Sequence, residues 1–123
     1  YNFAYQTEVQ GLRYNIKELK EAAPLLYNKA FMVMPSYWSN TFQNMICFQW
    51  ARSLYFNKDY TNSISILEKY VNLEKFPIAY VILALDYYRI KDDKKFQQYR
   101  EFVRKYFDYT TQIRQFFEKE LEK

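Results

Sequence analysis

The chain has 123 residues, half of them hydrophobic and more than a fifth aromatic, which is the length of one domain with enough apolar surface for a core. One glycine and three prolines are too few to punctuate the tight turns of an all-β domain, so helices are expected. The formal charge of +4 comes from interleaved acids and bases such as Lys17-Glu18, histidine is absent and Cys47 stands alone, which excludes an internal disulfide, a cysteine-rich metal site and imidazole catalysis.

Apolar residues at helical spacing run from Phe3 to Ala30, through Val9, Leu12, Ile16, Leu19, Ala23 and Leu26, and a break near Gly11 to Asn15 divides them into two short helices. Pro24 fits only if the second helix starts shortly before it, near Lys17 to Lys20, with a kink or local widening at the proline. Pro35 ends this pair, and Ser36 or Ser39 is placed to cap the next helix. Tyr37 to Asn57 reads as one helix of up to about five turns, through Phe42, Met45, Ile46, Trp50 and Leu54. After a turn at Asn57-Lys58-Asp59, Asp59 or Thr61 is set to cap a helix with the apolar face Ile64, Ile66, Leu67, Tyr70 and Val71, closed by Phe76-Pro77. Ile78 to Ile90, a turn at Lys91-Asp92-Asp93, and Lys94 to Phe107 form a third pair. Thr110 or Thr111 caps a final helix with Ile113, Phe116, Phe117 and Leu121 on one face and Gln112, Arg114, Glu118, Lys119 and Glu120 on the other. A polar outer face is what the end of a helical stack needs.

The longest apolar stretch, near Ile78 to Leu85, is far short of the ~20 residues that span a bilayer, so no membrane span is expected. The chain opens on Tyr1 without a basic-then-apolar leader, which predicts a processed protein or an excised domain that a signal or anchor could have preceded.

The first pair resembles the tetratricopeptide repeat, a helix–turn–helix unit of about 34 residues with the signature W-x2-L-G-x2-Y, then A-x3-F, then P. Gly11-x2-Tyr14, Ala23-x3-Tyr27, Ala30 and Pro35 stand at the family's intervals, with Thr7 and Gln10 in place of the leading Trp and Leu. The third pair follows as Tyr80-x2-Leu83-Ala84-x2-Tyr87, and the second as Trp50-Ala51-x2-Leu54 with Tyr60, Ser63, Leu67 and Tyr70. Small residues thus recur at Gly11, Ala51 and Ala84, where two helices must approach. The resemblance implies an all-α fold: an α–α solenoid of three TPR-like pairs, over residues 4–36, 37–77 and 78–108, with a capping helix over 109–123, all in a single domain.

In this family the first helix of each pair lines a concave groove. The resemblance therefore implies a partner-binding surface of Glu8, Leu12 and Asn15, then Phe48, Arg52, Tyr55 and Phe56, then Val81, Leu85, Tyr88 and Arg89. Aromatics flanked by two arginines suit a partner helix or extended segment carrying an apolar side chain and an acid. The alternative is that this face is filled, by the 109–123 helix or by another subunit. Members that grip a chaperone's terminal carboxylate use Lys and Asn where Glu8 and Leu12 stand here, so that role is not expected.

No catalytic residue, metal or cofactor is expected: Cys47 has no imidazole to activate it, Asp59, Asp92 and Asp93 fall in turns, and one glycine cannot build a phosphate loop. The basic run of Arg89, Lys91, Lys94, Lys95, Arg100, Arg104 and Lys105 is broken by Asp92, Asp93 and Glu101, so a nucleic-acid partner is not expected either. What remains is a scaffold or adaptor that binds another protein, or a structural subunit packed permanently into a larger assembly, a membrane-associated one included.

Overall fold

A computed structural model of the chain describes residues 2–34, 40–107 and 111–123. Among these the protein is all-helical: α1 (Asn2–Tyr14), α2 (Lys17–Met32), α3 (Asn40–Phe56), α4 (Tyr60–Tyr70), α5 (Ala79–Arg89), α6 (Asp93–Phe107) and α7 (Thr111–Glu122). Each helix packs on the next along the chain, α3 and α7 also touch α5, and an ion pair joins α1 to α3. The proposed caps Ser36, Ser39 and Thr110 and the expected start at Tyr37 lie outside the described residues.

The elements follow from their residues. In α5 every position from Ala79 to Tyr87 is buried, so this helix is apolar nearly all round and forms the centre on which α3, α4, α6 and α7 pack. In α6 only one stripe, Phe96, Tyr99 and Val103, is buried. The main core runs from Cys47 in α3 to Phe117 in α7, and a smaller one holds Ala4, Ala23 and Tyr27 with Leu26 and Trp50 against it. Tyrosine supplies much of the packing: Tyr80 stacks on Phe102 at 4.6 Å and Tyr87 on Tyr99 at 5.6 Å.

Three turns share one geometry. Asn15, Lys58 and Lys91 are the described non-glycine residues with positive φ, at 53°, 62° and 63°. In each case the next residue's N–H reaches back to a carbonyl in the last turn of the helix: Ile16 to Gly11, Asp59 to Leu54 and Asp92 to Tyr87. This left-handed cap usually takes glycine; here α1, α3 and α5 end on it with an asparagine and two lysines.

Two helix-start expectations change. Asp59 stands at the N-cap of α4 but makes no capping bond; its carboxylate instead accepts from Asn62 Nδ2 at 2.8 Å, and Thr61 lies inside the helix. Asp92 does cap, accepting the Lys95 N–H at 3.2 Å, and α6 begins at Asp93.

Gly11 and Pro24 set the join between the first helices and α3. A Cβ at Gly11 would lie 2.8 Å from the Lys20 backbone nitrogen, so only glycine lets α1 pass this close to α2. Pro24 sits inside α2 and has no N–H for the Lys20 carbonyl four residues earlier. That carbonyl accepts instead from Asn57 Nδ2 at 2.6 Å, while the same amide also donates to the Ser53 carbonyl.

Candidate functional site

The eleven residues expected to line a groove fall on α1, α3 and α5 and in the turn after α1, and the structure sorts them into three environments. At the α1–α3 seam Glu8 is buried. Arg52 meets it as a two-pronged fork, Nη2 donating to Oε1 at 2.5 Å and Nε to Oε2 at 3.1 Å, and the Tyr27 hydroxyl adds a third bond at 2.8 Å. The Arg52 guanidinium also lies 5.6 Å over the Phe48 ring and 6.0 Å from that of Tyr5. Arg52 is therefore already engaged within the chain. Leu12 is exposed beside a shallow crease of Lys20, Ser53 and Phe56, and Asn15 is exposed, accepting from Lys20 Nζ at 2.5 Å.

At the other end α7 lies against α5, and its last turn is held by polar contacts. The Tyr55 hydroxyl donates to Glu120 Oε1 at 2.9 Å and accepts from Arg89 Nε at 3.3 Å. Arg89 also donates to the backbone carbonyls of Glu120 and, at 3.2 Å, Lys123, and the Tyr88 hydroxyl donates to that of Leu121 at 3.1 Å. These carbonyls belong to the C-terminal turn, where a helix leaves its acceptors unmatched and its dipole favours a cation. Burial pushes the Tyr55 phenol up, with Arg89 lowering it and Glu120 raising it, so it remains a donor at neutral pH. Glu120, expected on the outer polar face, is buried here. The sequence carries a signal for this, because Glu120 follows Phe117 by three positions and Phe116 by four and so shares their helix face, although its partner lies 65 residues away.

Between these ends lies an open cleft of about 250 Å³. Phe48 and Arg52 of α3, Val81 and Ile82 of α5, the preceding Ile78, and Gln112, Ile113 and Phe116 of α7 line it. Phe56 packs edge-on to Phe116 at 6.4 Å beside it, and Leu85 is wholly interior. Phe48 and Val81 are thus the expected groove residues that face this cleft along with Arg52, and α7, the helix of the filled-face alternative, supplies one wall of it without closing it.

The remaining reactive groups are tied into packing. Cys47 is buried, and burial pushes its thiol up to about 12, so it stays protonated at neutral pH. Asp86 is also fully buried in α5: Ser63 Oγ donates to its Oδ2 at 2.5 Å, while Oδ1 has no hydrogen-bond partner. Among the described residues no three Cys, Asp or Glu side chains gather as they would around a metal ion, and no helix is long and apolar enough to cross a membrane. No protein-family model, no curated protein and no solved structure matches the chain.

Proposed function

We propose that the chain is a non-enzymatic, tetratricopeptide-like helical-repeat module that holds another protein, seating an apolar side chain of a partner helix or extended segment in the α3–α5–α7 cleft. The observation that carries this reading is the cleft itself: an apolar floor of Phe48, Val81, Ile82, Ile113 and Phe116, open to solvent, on the face that the repeat likeness assigns to partners. The thrice-repeated left-handed turn, the close approach at Gly11 and the full burial of Ala51 and Ala84 support the repeat architecture. In this reading α7 is the internal end-piece of the groove and Arg89 its clasp.

A photo-crosslinking residue at the exposed Gln112 tests the proposal in cells of the native source. The expected result is one partner captured from that position and lost when Ile113→Glu is added to a chain that keeps its helical circular dichroism. Loss of nothing on Ile113→Glu rejects the cleft.

A structural-subunit reading has one observation of its own. Phe3, Leu25, Met32 and Val33 are each between 66% and 78% exposed at the first helix pair, which is more large apolar surface than a free face requires. A crosslinker at Met32 that captures the partner when one at Gln112 does not makes this face the working surface.

A further inference from the structure

A second cleft, of about 300 Å³, separates α6 from α7. Two helical stripes face each other across it, Arg100, Val103, Arg104 and Phe107 against Arg114, Phe117, Glu118 and Leu121. Both run at i, i+3, i+4, i+7, so each stripe is one helix face. In both, the i+3 and i+7 positions are apolar and the i and i+4 positions charged. The cleft is therefore built as two layers: a hydrocarbon floor, with Val103 and Phe117 buried, and a rim carrying three guanidiniums against the carboxylate of Glu118 and that of Glu101 beside Arg104.

Along the rim, Arg104 pairs with Glu101 at 2.9 Å as an exposed pair on a helix surface, a class that contributes little and exchanges readily, and Glu118 lies 4.0 Å from Arg114. Arg100 lies 5.8 Å over the Phe96 ring, which fixes its direction without neutralising it. An anion above this floor would meet a net positive rim from two rigid helices, next to apolar walls that weaken solvent screening. The space equals that of about ten water molecules, at the lower bound of small-molecule sites.

We propose that the α6–α7 cleft binds a small anionic amphiphile, with a carboxylate or phosphate head among Arg100, Arg104 and Arg114 and a short hydrocarbon or aromatic body on Val103 and Phe117. A bare anion leaves the floor unused, and a neutral hydrocarbon leaves the rim unused. Both halves of the ligand are required. The proposal does not rest on the protein-binding reading, which concerns the other side of α7's contact with α5.

The test is a calorimetric titration of the whole chain with octanoate, octanol and inorganic phosphate in low salt, with backbone amide shifts recorded alongside. Octanoate is expected to bind at least tenfold tighter than either control, to shift amides of α6 and α7, and to lose at least tenfold in the variant Arg100→Gln/Arg104→Gln, whose helical circular dichroism is unchanged. Equal binding of octanol and octanoate, an unchanged variant, or shifts centred on the α3–α5–α7 cleft would overturn it. Co-sedimentation with phosphatidylglycerol vesicles in place of octanoate binding places the site on a membrane surface and overturns it as well.

Discussion

The two ends of this helical stack are joined to its centre by different physics. From α3 to α7 the join is a continuous apolar core around α5, in which Leu83, Ala84 and Leu85 have no exposure at all. The α1–α2 pair reaches that core at its edge, through Phe31 against Trp50 and Tyr70, and beyond its own small Ala4–Ala23–Tyr27 cluster a buried ion pair, a tyrosine hydroxyl and the Asn57 amide tie it to α3. An apolar join tolerates small displacements and fails as a whole, whereas a polar join depends on a few distances and can fail alone.

The largest expected effect lies in the core. Leu85→Ala should cost about 2–5 kcal/mol and lower the single unfolding transition seen by denaturant, because the cavity opens at the centre of the stack. Glu8→Ala should cost about 2–3 kcal/mol, less than a fully buried pair, since the Arg52 side chain is 23% exposed. Its signature differs: amide exchange should quicken across α1 and α2 while α4 to α6 keep their protection. Equal loss of protection in all helices would erase the distinction between the two joins.

Asp86 is a polar flaw within the apolar join. Burial raises its carboxyl to about 9 from an ordinary 3.8, partly offset by the Ser63 bond and added to by Asp59, so between those values the folded chain holds one proton more than the unfolded chain. Stability should therefore fall as pH rises through that window. Asp86→Asn should flatten the dependence, gaining stability over the native chain at pH 8 with much less change at pH 5, read from denaturation midpoints at both. The smallest effect is a gain. Lys91→Gly should add about 0.5–1 kcal/mol by removing left-handed strain from the α5–α6 turn, checked by thermal melting.

The all-helical class, the turns at 57–59 and 91–93 and the apolar faces of α4 and α6 were legible, because they are written in neighbours three and four residues apart. The close approach at Gly11 was legible for the same reason that it exists: a chain with one glycine places it where a Cβ cannot go. The interior polar contacts were not. Glu8 with Arg52 and Tyr55 with Glu120 join positions 44 and 65 residues apart, and no local period marks either. Charged residues were read as surface, so Arg52 and Arg89 were expected to await a partner's acid, and Glu120 was expected on the outer face. Dense tyrosine explains the error, since its hydroxyl lets a carboxylate go inside: Tyr27 serves Glu8 and Tyr55 serves Glu120.

The proline inside α2 links two positions in a way that bears on how such a sequence can change. While Pro24 is present, the Lys20 carbonyl depends on Asn57, and loss of the asparagine strands it. A residue with an N–H at position 24 would satisfy the carbonyl from within the helix and release Asn57 from that duty. The order of substitutions therefore matters: a change at 24 opens the way to variation at 57, while the reverse order passes through a weakened intermediate. The two sites should vary together among descendants of this chain.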